Sequence, residues 1–381
     1  MEGAETAEPH TAEMFRILFV STSYPQDASD WRGVFMAHIS AALARQPEIR
    51  LIQWAPPGQT DSRVEIGTTS TDAAWLSRLM RDGGISHRLR THLVSGVFAA
   101  IQLLLRLRSA YLRYPDINLY HINWLQPALP LPANGKPVLV TVLGNDMRLL
   151  RLPLMRSLLR RVLRNRRAVL CPNATWMEPQ LREEFGDLAE VVPVPFGIDP
   201  RWYAIHRDPC RCPCWLVVTR LTADKLGPLF EWSAPLFEEG RRELHLFGPM
   251  QEQVAIPPWV RYHGSATPEE LARDWFPRAH GLITLSRHAE GRPQVVLEAM
   301  AAGLPVVASR IPAHVDLVDA LSGCVCGERG EFASAIALLE DDATNRAFGL
   351  HARERVRREF GTWDDCAARF IALYRRLTHA G

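Results

Sequence analysis

Hydrophobic positions along this chain alternate between two periods. Short runs rich in β-branched and aromatic residues read as strands: Phe15–Ser21, Arg50–Ala55, Ile117–Ile122 and Val138–Leu143. Between them, apolar residues spaced three and four apart predict helices over Val34–Arg45 and Leu149–Arg167. A basic, apolar region, Trp75–Tyr114, reads as two helices broken near Gly83 and Gly84. Ala168–Pro172 and Glu190–Val194 close this first series as strands. The proline-rich string V-P-V-P-F-G-I-D-P then reads as a linker, after which the alternation starts again. Its strands are Trp215–Thr219, Glu243–Phe247, Val260–His263, Gly281–Leu285 and Val306–Ala308, with Cys324–Cys326 as a short one. Its helices are Leu226–Glu239, Pro268–Phe276, Gln294–Ala302, Phe332–Glu340 and Asn345–Phe360. Strand–helix alternation on both sides of a linker predicts an α/β chain with two doubly wound, Rossmann-like parallel sheets. The expected divisions are a loose tail over 1–13, a first domain over 14–194 and a second over 195–360. A last helix over 361–381 is expected to cross back to the first domain.

Composition narrows the class. With 381 residues, 47% hydrophobic and 23% charged, the chain suits two globular domains and not a disordered protein. The first thirteen residues lack the pattern of a signal peptide. The longest apolar stretch, Leu93–Leu105, is short for a bilayer span and contains Gln102, so the expected location is the cytoplasm. The net charge of +2 conceals an asymmetry: Trp75–Leu170 holds sixteen Lys and Arg against three Asp and Glu, leaving the remainder acidic. Such a split implies an anionic partner, an anionic membrane surface on the inner face of the membrane or an acidic substrate, and no nucleic-acid module accompanies it. Leu149, Leu152, Leu158, Leu159, Val162 and Leu163 lie beneath eight arginines between Arg148 and Arg167, which suits headgroups or a solvated core helix equally. Seven cysteines include C-R-C-P-C and C-V-C, but no spacing completes a metal site, and reduced thiols at strand edges are expected.

Two lysines, Lys136 and Lys225, stand among 44 basic residues. Lys225 lies in V-V-T-R-L-T-A-D-K-L-G, five residues after Arg220, which follows a strand end. An arginine fork and a lysine point charge on one such loop suit a diphosphate. The densest string is L-S-R-H-A-E-G-R-P-Q-V-V-L-E-A-M-A-A-G-L-P-V-V-A-S, residues 285–309. It reads as a strand end, a loop bearing Glu290, Pro293 in the first turn of a helix, Glu298 on that helix, and Gly303 as its stop. Open α/β sheets bind ligands at carboxyl strand ends, where helix N-termini attract phosphate.

This string resembles the E-x7-E donor motif of retaining glycosyltransferases of family 4, which have the GT-B fold of two Rossmann-like domains facing across a cleft. The segment around Arg220 and Lys225 looks like the same family's R-L-x-x-x-K-G. The resemblance implies transfer of a hexosyl-type sugar from a nucleotide-sugar donor to an acceptor hydroxyl, with retention of configuration. Glu290 would orient the sugar, Glu298 would hold the ribose, and Gly291 with the N–H groups of Gln294 and Val295 would meet the diphosphate. Arg220 and Lys225 would neutralise the leaving group, so neither a metal nor another cofactor is expected. Arg292, where the family often has Phe or Leu, is left between a phosphate or acidic-sugar contact and solvent. The implied acceptor is lipid-linked, a glycan in polysaccharide, lipopolysaccharide or glycolipid assembly, or else a small soluble metabolite. The runner-up from a different class is a degenerate nucleotide-sugar-binding or scaffold protein.

The first domain resembles the family less closely. Gly33 opens a helix after a strand and a polar loop, like the family's glycine loop, with Arg32 where a second glycine is usual. In T-V-L-G-N-D, Leu143 occupies the position of the family's histidine, before Gly144, Asn145 and Asp146. Leu143 can neither donate a hydrogen bond nor carry charge, so transfer is impaired or another group supplies the contact. His121, with Asn123 and Trp124 beside it, is the sequence candidate, and Asn145 and Asp146 stand at a strand's carboxyl end.

Overall fold

Among the described residues, six of the apolar runs and one two-residue strand pair edge to edge in one sheet, and six further runs in another. The structure is a computed structural model that describes residues 14–379 apart from 28–29, 86–87, 89–91 and 289. The expected tail over 1–13 lies outside them. The first sheet contains β1 (Phe15–Val20), β2 (Ile49–Trp54), β3 (Glu65–Ile66), β4 (Leu119–Asn123), β5 (Val138–Val142), β6 (Ala168–Pro172) and β7 (Glu190–Val191). Their order is β3-β2-β1-β4-β5-β6-β7. The second contains β8 (Cys214–Val218), β9 (Glu243–Phe247), β10 (Val260–Tyr262), β11 (Gly281–Thr284), β12 (Val306–Ser309) and β13 (Gly323–Cys326), ordered β10-β9-β8-β11-β12-β13. In each sheet the order reverses beside the first strand, as in doubly wound folds. The described pairings are parallel, with Ile17 opposite Leu51 and Leu119, and Leu282 opposite Leu216 and Val306. Two parallel sheets in series with helical crossovers give the two doubly wound, Rossmann-like units that the sequence predicts.

By compactness the chain forms two units, the first from residues of 1–140, 162–168 and 371–381, and the second from 141–161 and 169–370. The second unit's core lies on both faces of its sheet, from Leu216, Phe276 and Met300 on one side to Trp215, Phe237 and Ile336 on the other. The last helix, Trp363–His379, begins in the second unit and ends in the first.

Where elements differ from the sequence reading, backbone chemistry explains it. The described residues of Trp75–Tyr114 include two long helices, but the first starts at Ser70, because Thr69 Oγ1 accepts the Asp72 N–H at 3.1 Å. The second, Leu93–Arg113, runs 21 residues and is long and apolar enough by composition to cross a membrane. The expected helix Leu149–Arg167 is instead Gly144–Leu149 and Met155–Leu163, separated at Pro153 and Leu154, the latter with φ 64°. Leu226–Glu239 divides in the same way into Ala223–Leu226 and Leu229–Phe237 around Gly227 and Pro228. The strand Glu190–Val194 stops at Val191 because Pro193 and Pro195 have no N–H to give. Val192 and Val194 still donate to the carbonyls of Leu170 and Pro172.

Candidate nucleotide-sugar site

Apart from Gly33, the sequence-predicted donor residues lie within the second unit. Strand β11 ends at Thr284, and Leu285 and Ser286 continue inward, both buried. The Ser309 hydroxyl, at the end of β12, donates to the Ser286 carbonyl at 2.5 Å, and Ser286 Oγ accepts the His288 N–H at 3.1 Å. These bonds fix the start of the loop that carries Glu290. The turn Ala223–Leu226 lies against the same loop. Arg287 N–H donates to the Asp224 carbonyl at 2.8 Å, and Thr222 Oγ1 accepts the Lys225 N–H at 3.2 Å. Gly227 has φ 55°, and a side-chain carbon there would collide with the Leu285 carbonyl, so glycine is required for the approach.

This packing brings Lys225 Nζ to 2.6 Å from Glu290 Oε1, with the two side chains 13% and 12% exposed. Burial alone would raise the Glu290 carboxyl, yet the Lys225 ammonium, His314 and the Ser286 hydroxyl together outweigh it and the net displacement is downward. Burial draws Lys225 down, and Glu290 opposes that pull. We read the pair as charged at neutral pH, because each ion is the other's main compensation. Arg220, two residues beyond β8, places Nη1 3.3 Å from Gln251 Oε1 and adds its positive charge to the surroundings of Lys225.

Pro293 is the N-cap, one residue before the first turn where the sequence placed it, and the helix runs Gln294–Ala301. Its start leaves the N–H groups of Gln294 and Val295 without intrahelical acceptors. The Gln294 side chain donates to the Gly197 carbonyl at 2.9 Å. Glu298 lies one turn further on. Burial first, and the Asp199 carboxylate second, push its carboxyl up to about 7, against the pull of Arg201.

Arg292 neither faces solvent nor stands free for a phosphate. Its Nη2 is 2.5 Å from Asp316 Oδ2, its Nη1 donates to the Asn173 carbonyl at 2.9 Å, and its guanidinium lies 4.7 Å from the centre of the Phe360 ring. Trp176 Nε1 donates to the Gly291 carbonyl at 2.9 Å. A side-chain carbon at Gly144 would collide with the Gly291 nitrogen and the Glu290 carbonyl carbon. The G-N-D turn and the E-G-R-P turn therefore touch through backbone, and both glycines are needed for it. Asp146 is buried and accepts the Leu143 N–H at 2.8 Å, closing the start of the helix Gly144–Leu149. Leu143 is buried and Asn145 is exposed.

Four sequence candidates belong to the first unit. Gly33, with φ 69°, caps the helix Val34–Ala44, and Arg32 forks onto Asp30 and the Met80 carbonyl as a local brace. His121 is fully buried, 2.5 Å from the Tyr374 hydroxyl and edge-on to Phe19. Burial lowers it to about 3, so it is a neutral core imidazole, closed off from an entering ligand. Asn123 is buried and donates to the Val20 carbonyl at 2.9 Å, and Trp124 has φ 70° with its ring near Phe35.

Two histidines that the sequence reading passed over lie beside the donor residues. His288 is in the Glu290 loop itself, and burial, then Lys225, lowers it. His314 is buried on the turn after β12, its Nδ1 3.0 Å from the Ser309 carbonyl and its Nε2 without a hydrogen-bond partner among the described residues, and burial lowers it too. His288 was discoverable from its position two residues before Glu290. His314 had no sequence signal, since only the fold returns it to Glu290. Among the described residues no cluster of His, Cys, Asp or Glu could hold a metal ion, and the cysteines are unpaired thiols.

Comparison with known proteins gives likenesses of sequence and of fold. Residues 217–342, which contain Arg220, Lys225, Glu290 and Glu298, match the family model described as glycosyl transferases group 1. A D-inositol 3-phosphate glycosyltransferase from Corynebacterium kroppenstedtii is 28% identical over 141 residues, 35% of this chain. The match spans 30% of that relative's length. Sucrose-phosphate synthase from Thermosynechococcus elongatus has a similar structure, with TM-score 0.71 and 17% identity, over 97% of this chain and 100% of that one. Anabaena HepE in complex with UDP gives 0.68 and 13%, over 96% and 100%. At such identities the likeness is one of fold. The chain thus has the GT-B fold, and its second sheet bears a stretch similar to the glycosyl transferases of group 1.

Proposed function

We propose that the chain is a glycosyltransferase that takes its sugar from a nucleotide-sugar donor. The observation that carries this is the pairing of Lys225 with Glu290, on the loop just before the helix that starts at Gln294 and carries Glu298, inside the stretch that matches the family model. The structural neighbour in complex with UDP supports a nucleotide donor. In this reading Lys225 and Glu290 hold one another until the donor arrives. The diphosphate then shares Lys225 and meets Arg220 and the N–H groups of Gln294 and Val295. Glu290 turns to the sugar hydroxyls, and Glu298 accepts from the ribose. Developing charge on the leaving diphosphate is met by two fixed cations and a helix N-terminus, which makes a metal dispensable. The reading includes membership of family 4, Glu290 and Glu298 as its E-x7-E pair, retention with the departing phosphate accepting the acceptor's proton, and a cytoplasmic location.

Two acceptor classes remain. The name of the curated relative favours a small phosphorylated acceptor, and the exposed apolar helix Leu93–Arg113 favours a lipid-linked one. A panel of UDP-, GDP-, ADP- and dTDP-sugars tests the whole reading, with released nucleotide as readout and the product anomer followed by NMR. Turnover of one donor with retained configuration is expected. No turnover, together with unchanged melting in every donor, favours a scaffold.

A further inference from the structure

The helix Leu93–Arg113 is apolar on the side that faces outward. Leu93, Val94, Val97, Phe98, Ile101 and Leu105 are between 45% and 85% exposed, whereas Ala99, Leu103, Leu107 and Ala110 are buried against the first unit. No charged residue lies between Leu93 and Leu105. Isolated exposed apolar residues are ordinary, but a continuous row on one helix face marks a surface that meets something apolar.

Length and hydropathy would let this helix cross a bilayer, but its contacts argue that it lies flat. Trp75 Nε1 donates to Gln102 Oε1 at 3.0 Å, Arg106 pairs with Asp72 at 2.6 Å, and the Tyr111 hydroxyl donates to the Pro127 carbonyl at 2.7 Å. These bonds tie the inner face to the first unit, and a spanning helix would have to break them. Only the outer face is left to offer, as in helices that lie in a membrane interface.

Charge selects the partner. The helix has no acidic residue, and the acid of the neighbouring helix Ser70–Arg81, Asp72, is buried and paired with Arg106. Arg78, Arg81 and Arg108 are exposed on these two helices. A second copy docked through the same face would set like charges against each other, whereas anionic headgroups complement them. The arginine-rich helix Met155–Leu163 is the weaker candidate. Its Leu159 and Leu163 belong to the core, and its Arg156 and Arg160 pair with Glu184 and Asp187.

We propose that the outward face of Leu93–Arg113 seats on an anionic lipid monolayer, with the helix in the plane of the interface and its apolar row among the acyl chains. Flotation of the full chain with phosphatidylcholine vesicles, with and without phosphatidylglycerol, tests this. The wild type should float with the anionic vesicles and poorly with the neutral ones. Val94→Glu/Phe98→Glu should lower partitioning by about tenfold or more, while Leu158→Glu leaves it unchanged. The milder pair Val97→Ser/Ile101→Ser should show a loss in the same direction, so the result does not depend on one variant folding. A wild type that stays down with anionic vesicles overturns the proposal, as does a Val94/Phe98 variant that floats as well as the wild type. If light scattering instead finds a dimer that the double substitution splits, the face belongs to a second copy. Flotation needs no donor, so this proposal and the glycosyltransferase reading fail separately.

Discussion

Replacing Lys225 with Met removes one partner of the ion pair at the centre of the candidate site and leaves Glu290 buried with its compensation gone. Removing one partner of a buried pair typically costs about 3–5 kcal/mol, and the residual exposure of both side chains argues for the lower end, about 3 kcal/mol at neutral pH. The pH dependence is more telling than the size. In the wild type burial pushes the Glu290 carboxyl up, but Lys225, helped by His314 and Ser286, holds it below its ordinary value. Its contribution to stability is therefore complete above the unfolded-state value and is lost as pH falls through the depressed one. In Lys225→Met burial is left to dominate, the carboxyl rises above its ordinary value, and the folded state loses stability as pH climbs. The gap between the two proteins should widen from about pH 4.5 to about pH 7.5, by roughly the full cost of the broken pair. Urea unfolding followed by tryptophan emission and circular dichroism over that range measures the gap. Lys225→Met/Glu290→Gln, which removes both charges, should recover most of the loss. A gap that is equal at every pH, or a double variant no better than the single one, would refute the argument.

Three other perturbations follow from the same geometry. Glu298, raised to about 7 by burial and Asp199, loses stability as pH rises from the ordinary carboxylate range towards that value. Glu298→Gln should accordingly stabilise the protein by up to about 3 kcal/mol at pH 8 and by under 1 kcal/mol at pH 5, read by urea unfolding. Gly144→Ala should displace the Glu290–Gly291 backbone and cost about 1–3 kcal/mol, whereas Gly330→Ala, which meets only Glu328 at ordinary contact distance, should leave the melting temperature unchanged or raised. Arg292→Met should destabilise by about 3 kcal/mol by leaving Asp316 alone, and Arg292→Met/Asp316→Leu should restore part of it, as a double-mutant cycle will show.

Strands and the donor half of the site were legible because period and position suffice for them. Among the described residues, twelve of the thirteen short strands sit where apolar runs predicted them; the exception is the two-residue β3, which carries too little pattern to detect. Lys225 and Glu290 were marked by local context, one a rare lysine and the other beside a helix start. What local context could not supply was the partner of each polar group. Arg292 looked ready for phosphate or solvent until the fold placed Asp316 and Phe360 around it, residues distant in sequence. His121, at a strand end, looked placed to supply the contact that Leu143 cannot, yet the last helix covers it with Tyr374. Asp146 looked like a ligand residue, and the structure uses it to close a helix start. Helix interruptions at Pro153 and Pro228 were visible as prolines but lost in the apolar periodicity around them.

The central claim is that Lys225, Glu290 and Glu298 bind a nucleotide sugar. Isothermal titration of the wild type with nucleoside diphosphates and their sugars, repeated on Lys225→Met and Glu298→Ala, tests it most directly. At least one nucleotide sugar should bind the wild type, and each substitution should weaken it by about tenfold or more, the scale of one lost charged contact. If no nucleotide in the panel binds, or if binding is the same in all three proteins, these residues do not form a nucleotide-sugar site.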